Sequence, residues 1–373
     1  MRSLIIVIVL SVLFASCKEE FEPSTIAGQR NLLVVEGFIN TGGGTSVIKL
    51  TRTTDLKDAK KLVPEAGAVL GIEGENGSLL ESVSGDNGVC TLSTGSLNPI
   101  QKYRLKIKTK NGKEYLSDFL ENIISPQFTI GYNAENGGVR VYVSTNDVTN
   151  KLRNFSWAFD ETWEFHSKFP SPLEVVNGAI VFRDPSININ TCWKSNNSKQ
   201  ILIASTENLS ETKIDQFPLL FLSSESEKVK VQYKIKVMQY SITKAAYTYL
   251  SKMKKSTEDT GTIFDPQPTE IKGNIRCVSD PDEMVVGYLS AGKPSEKTLY
   301  LKKEMMPPVS PSTTASGCSE IDAYGYNTAL SFASNGYLIT GGSVRSDMFK
   351  VAPKECVDCR LSGTNIMPNE WPQ

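Results

Sequence analysis

Seven cysteines and a single histidine carry most of the chemistry open to this chain of 373 residues. Cys17 has the most telling setting. It follows Phe14-Ala15-Ser16, an apolar run from Leu4 to Phe14, and the basic residue Arg2. A charged start, a short apolar core and small residues before a cut are the parts of an export signal. A cysteine directly after the small residues can accept acyl groups at sulfur. Residues 1–16 therefore read as a signal peptide and Cys17 as a lipidation site of the palmitate kind. The apolar run is shorter than the roughly 20 residues a membrane-spanning helix needs. Two or more acyl chains anchor stably where one does not.

The remaining cysteines are Cys90, Cys192, Cys277, Cys318, Cys356 and Cys359. An even set in an exported chain favours disulfides. Six cysteines admit fifteen full pairings, and sequence does not choose among them. Cys356-Val357-Asp358-Cys359 has redox-motif spacing, but no strand-turn-helix pattern surrounds it. Free thiols and a metal site are the weaker readings.

His166 is the one residue that could serve a Ser-His-Asp triad or a histidine zinc site. Its isolation argues against both. Glu161 would share a strand face with Trp157, Phe159, Trp163 and Phe165, where a carboxylate could act as an acid. A charge at a sheet edge, or one paired with an arginine, is the plainer reading. Asp160, Glu164 and His166 share the opposite face and could meet a cation, although a solvated face explains them as well. Trp157, Trp163 and Trp193 could form a sugar-stacking platform, or simply fill a core. The acidic loop Asp280, Asp282, Glu283 lacks the oxygen spacing of a calcium loop. No metal or other cofactor is expected.

The elements that must carry these residues are mostly strands. Tyr103, Leu105, Ile107 and Thr109 alternate with Lys102, Arg104, Lys106, Lys108 and Lys110, and Asn111-Gly112 follows as a hairpin signal. Val139, Val141 and Val143 alternate in the same way. Val229, Val231, Tyr233, Ile235 and Val237 lie opposite Lys228, Lys230, Lys234 and Lys236. Solvent-facing lysines of this kind also discourage edge-to-edge aggregation. One helix is predicted over 243–257, where Ala246, Tyr249, Leu250 and Met253 make one apolar stripe. Ser241 or Thr243 can cap it. Phe264-Asp265-Pro266-Gln267-Pro268 reads as a stiff loop.

The pattern predicts a mainly β protein: two immunoglobulin/fibronectin-like β-sandwiches with the helix inserted in the second. The divisions are a tether over 17–29, a first sandwich over 30–124 and a second over 125–305. A loop-rich segment, 306–373, is expected to pack back on the second. The second sandwich is expected to include strands near Ile271–Val278 and Glu283–Leu289. The tether reaches at most about 45 Å when fully stretched. A formal net charge of -1 supplies no field that would draw the chain to nucleic acid.

Lys18-Glu19-Glu20 resembles the short signal that sends Bacteroidota lipoproteins to the outside of the outer membrane. Further motifs are Glu161-Thr162-Trp163-Glu164-Phe165, Thr206-Glu207-Asn208-Leu209-Ser210, Gly273-Asn274-Ile275 and Gly287-Tyr288-Leu289-Ser290-Ala291. The loop at 264–268 and the ending Cys356 to Leu361, Gly363-Thr364-Asn365 and Pro368-Asn369-Glu370-Trp371 complete the set. Together they resemble the Bacteroidota lipoprotein family named domain of unknown function 4249, across essentially the whole chain after the signal. Members tend to be encoded beside TonB-dependent receptors. The resemblance implies an accessory role in nutrient uptake and supplies no catalytic residues.

The expectation is a non-enzymatic protein, anchored to the outer membrane by lipid and facing the exterior. It would bind a glycan or peptide ligand as the partner of a TonB-dependent receptor. Two other classes remain. One is an independent glycan- or protein-binding adhesin. The other is a hydrolase using two carboxylates across a cleft.

Overall fold

A computed structural model describes residues 31–54, 63–95, 97–257, 272–307, 317–345 and 347–372. The expected signal peptide over 1–16, Cys17, Lys18, Glu19, Glu20, the expected tether and the loop expected at 264–268 lie outside the described residues. No helix among the described residues is long and apolar enough to cross a membrane.

The protein is mainly β. Its first strands are β1 (Leu33–Asn40), β2 (Thr45–Arg52), β3 (Val63–Pro64), β4 (Val69–Gly74) and β5 (Leu79–Val83). β6 (Val89–Ser93), β7 (Tyr103–Lys108), β8 (Glu114–Ser117) and β9 (Asn122–Ile124) follow. Turn chemistry sets their register. Gly77 and Gly112 take positive φ (81° and 85°), which lets Asn-Gly close each hairpin. β7 and β8 pair across the predicted Asn111-Gly112 turn, with Ile107 opposite Tyr115.

The middle of the chain forms β10 (Phe128–Glu135), β11 (Gly138–Asp147), β12 (Asn154–His166), β13 (Leu173–Val176) and β14 (Ala179–Phe182). β15 (Thr191–Asn197), β16 (Leu202–Ser205), β17 (Thr212–Ser223) and β18 (Gln232–Ile242) come next. Helix α1 (Lys244–Thr257) falls where the stripe placed it. Thr243 caps it, its hydroxyl accepting the Ala246 N–H at 3.1 Å. Lys254 and Lys255 sit in the last turn, where they suit the helix dipole.

Then come β19 (Ile275–Cys277), β20 (Val285–Val286), β21 (Ser290–Lys293) and β22 (Ser295–Lys302). Here the structure departs from the expected division. β19 pairs with β8, and β20 and β21 run parallel to β1. Residues 275–293 thus complete the sheets begun by residues 31–124, not those of the middle segment. Alternation reveals that a strand exists but not its neighbour. Parallel pairing also joins segments far apart in sequence. The return is close-packed. A Cβ on Gly287, at φ +143°, would collide with the Val35 carbonyl, so only glycine fits that approach.

Among the described residues, the sheets β3-β2-β1-β21-β9 and β19-β8-β7-β4-β5 share one core. Leu33, Ile48, Leu50, Leu70 and Leu105 are fully buried there. Each such side chain contributes about 1.5–3 kcal/mol by leaving water. A second core lies between β10-β11-β17 and β15-β12-β18-β22. It holds Val139, Val141, Val143, Phe155 and Ile235.

The C-terminal segment is also more ordered than expected. It contains β23 (Ile321–Tyr324), α2 (Tyr326–Ser334), β24 (Tyr337–Gly341) and β25 (Met348–Pro353). These strands form an antiparallel sheet in the order β23-β25-β24. Phe349, Val351 and Ile339 pack with Ala329 of α2 and with Leu173 and Ile180 of the β13–β14 hairpin. Elements this short carry too few periods to stand out in sequence.

Candidate functional site

The long strand β18 has an asymmetry that locates the site. Its core face reads Tyr233, Ile235, Val237, Gln239, Ser241. Its other face begins wet, with Lys234 and Lys236, then turns apolar at Met238, Tyr240 and Ile242. A strand apolar on both faces has something against each. On the core side, Gln239 is fully buried and accepts the Trp157 Nε1–H at 3.0 Å. On the other side lies a groove of about 700 Å³.

Its floor is the outer face of β12 and β18, with Ser156, Asp160, Lys236, Met238, Tyr240 and Ile242, joined by Glu296 from β22. One wall is β1 and the returning chain from Val286 to Ser290. The other is the stripe of α1, through Tyr249, Leu250 and Met253. Two aromatic contacts draw the walls together. Phe38 and Tyr240 have ring centroids 4.6 Å apart, and Tyr249 and Tyr288 5.4 Å. The returning segment and α1 thus complete a site whose floor is made by the second core.

The charged groups gather on the floor. Lys236 Nζ lies 2.7 Å from Glu296. The Asn197 amide donates to Asp160 at 2.6 Å. Burial, then the charges of Asp160 and Glu296, push the Tyr240 phenol up to about 12. Burial likewise raises the Tyr249 phenol. Both phenols are thus held above their ordinary range and stay protonated at neutral pH. A concave, mostly apolar cleft with a few convergent polar groups is the form of a ligand site.

The residues singled out from sequence fare differently. Asp160 is in the groove. Glu164 and His166 share its strand face but bond to each other at 2.8 Å outside the groove, and Glu164 also accepts from Trp371 Nε1 at 3.2 Å. Trp157, Trp163 and Trp193 are buried, at 2%, 8% and 7% exposure, and form no exposed platform. Trp157 stacks on Phe217 at 4.5 Å, and Trp193 meets Trp371 edge-on at 6.4 Å. The hydrophobic content of large rings draws them into the core. Glu161 is 3% exposed and fully engaged. It accepts from Tyr233 at 2.8 Å and Asn196 at 2.9 Å and pairs with Lys228, a lysine where an arginine was expected.

Asp280 and Glu283 are engaged by protein side chains. Lys113 contacts both, and Glu283 also meets Tyr115 at 2.7 Å and Arg52 at 3.3 Å. Arg52 in turn reaches Glu65 at 2.6 Å and the Asn31 carbonyl at 3.1 Å. This cluster fastens the returning segment beside the first described residue. Among the described residues, no three His, Cys, Asp or Glu side chains converge as a metal-ion site.

The cysteines split. Cys192–Cys359 and Cys318–Cys356 are bonded. The first ties the C-terminal segment to β15. Cys90 and Cys277, expected among the bridges, are buried free thiols of the first core. Their pairing would need two strand positions in facing geometry, which spacing alone does not reveal. Burial raises the Cys90 thiol.

Sequence reasoning missed Phe38, Tyr240, Tyr288 and Glu296. The apolar turn at Met238, Tyr240 and Ile242 was the available signal. Two of the motifs act as fastenings. The Asn274 side chain exchanges two 2.8 Å hydrogen bonds with the Leu289 backbone, and Thr364 pairs with Trp193 through theirs.

A family model described as Domain of unknown function (DUF4249) matches residues 18–298. No curated protein matches the chain. A solved structure described as manganese lipoxygenase of Gaeumannomyces graminis with a partial structure of zonadhesin of Komagataella pastoris is 12% identical. The match covers 57% of this chain and 89% of that one, with a TM-score of 0.17, too low to bear on fold or function.

Proposed function

The chain belongs to the DUF4249 family, and on that premise we propose that it is a lipid-anchored outer-membrane protein, facing the exterior, that captures a ligand for a TonB-dependent receptor in nutrient uptake and catalyses no reaction. The groove between β1, β18 and α1 carries this reading. It offers about 700 Å³, aromatic contacts on two walls and phenols that stay protonated. The export signal, Cys17 and Lys18-Glu19-Glu20 support the location. We read the two large cores as immunoglobulin/fibronectin-like sandwiches that hold the groove at a tether's length from the membrane.

The test has two arms. Mass spectrometry of the native protein is expected to find acyl chains on Cys17, and proteinase treatment of intact cells to cleave it. Pull-down in mild detergent is expected to recover a large β-barrel receptor. A bare Cys17 sulfur or protection from proteinase would overturn the location. Recovery of the lipoprotein alone would overturn the partnership.

A further inference from the structure

We propose that the groove takes an organic cation carried on an apolar or aromatic body, such as an arylalkylammonium or the lysine or arginine side chain of a peptide. This inference rests on the groove being the ligand site. Three carboxylates line it, Asp160, Glu296 and Glu36, against one ammonium, Lys236. That ammonium is already held by Glu296 at 2.7 Å. Glu36, on β1, leans toward Lys49 at 3.7 Å, a distance of weak attraction between largely exposed groups. Asp160 stands opposite Lys236 in the β12–β18 register, and its hydrogen-bond partner at 2.6 Å is the neutral Asn197 amide.

The surplus on the floor is therefore negative. An anionic ligand would meet like charge. A neutral ligand would leave the charge unanswered. A cation answers it, and the same groove supplies aromatic faces for it. The Phe38–Tyr240 pair overlooks the floor, and a cation within about 6 Å of a ring centroid is attracted by the ring quadrupole. Burial, and after it the charges of Asp160 and Glu296, raise the Tyr240 phenol. Met238, Leu250 and Met253 offer adaptable apolar contact for the body of the ligand.

Calorimetric titration of the full chain tests this with three probes of one shape: phenylbutylamine, phenylbutanol and phenylbutyrate. Two peptides, acetyl-Phe-Lys-Phe-amide and acetyl-Phe-Glu-Phe-amide, separate a free amine from a basic peptide as the source. The cationic member of at least one series is expected to bind about tenfold tighter than its counterparts, a difference of about 1.4 kcal/mol. The double variant Asp160→Asn, Glu296→Gln is expected to abolish the advantage of the amine over the alcohol, and an advantage that survives it would overturn the role of these carboxylates. Equal binding within both series, or preference for the carboxylates, would overturn the cation and leave the groove as a ligand site. Binding by none of the probes would overturn both.

Discussion

Removing the Cys192–Cys359 bridge is the sharpest perturbation of this fold. The bridge closes a separation of 167 residues, and Cys318–Cys356 closes one of 38. If a disulfide acts by restricting the unfolded chain, its contribution grows with the logarithm of loop length. That relation assigns about 5 kcal/mol to the longer loop and about 4 kcal/mol to the shorter. The difference, about 1.3 kcal/mol, is more dependable than either value, because errors in the unfolded reference partly cancel. Packing acts in the same direction. Cys192 and Cys359 sit in the second core at 0% and 3% exposure, so truncation also leaves space in that core. The assay is guanidinium unfolding of Cys192→Ala/Cys359→Ala and of Cys318→Ala/Cys356→Ala, followed by tryptophan fluorescence. Trp193 adjoins Cys192 and packs on Trp371, so the signal reports this region. The first variant is expected to lose more stability than the second by at least about 1 kcal/mol. Equal losses, or a larger loss in the second, would refute the reasoning. So would non-reducing peptide mapping that finds Cys90 or Cys277 in a bridge.

Glu283→Gln is expected to cost about 2 kcal/mol at neutral pH, because Lys113 and Arg52 lose a charged acceptor. Burial raises the Glu283 carboxyl, but hydrogen bonds from Lys113 and Tyr115 and the charges of Lys113 and Arg52 outweigh it and hold the group below its ordinary 4.5. A depressed carboxyl contributes stability that is present above its unfolded pKa and lost as pH falls through its folded value. Urea titrations of the wild type and the variant should therefore converge below pH 4.5; a constant gap across that range would contradict this. Gln239→Leu leaves the Trp157 Nε1–H buried without its acceptor and is expected to cost about 1–3 kcal/mol. A variant as stable as the wild type in thermal unfolding would show that Gln239 fills space only.

Much of the secondary structure was legible. Alternation at Tyr103, Leu105 and Ile107 and at Val139, Val141 and Val143 located strands whose inward residues are buried. The Ala246, Tyr249, Leu250, Met253 stripe located α1 to within a residue. Of the site, Asp160 and Lys236 were seen as parts of strand faces, and Tyr249, Leu250 and Met253 as the stripe of the helix. Trp163 and Trp193 could be read as platform or core, because ring size is visible in sequence and burial is not. α2 is nine residues long and β23 four, too short for a period to declare itself.

What the sequence determined alone is local: strands, turns at Asn-Gly pairs, one amphipathic helix, and a supply of bridging cysteines. These follow from side-chain period and backbone preference, which act over a few residues. Tertiary structure decided which segments meet. It sent residues 275–293 back to β1 and β8, paired four cysteines and left two as thiols, and brought Phe38, Tyr240, Tyr249 and Tyr288 to one groove. Those outcomes depend on shape complementarity between surfaces distant along the chain, as where Gly287 lets the backbone close against Val35, and no local pattern encodes a neighbour more than two hundred residues away.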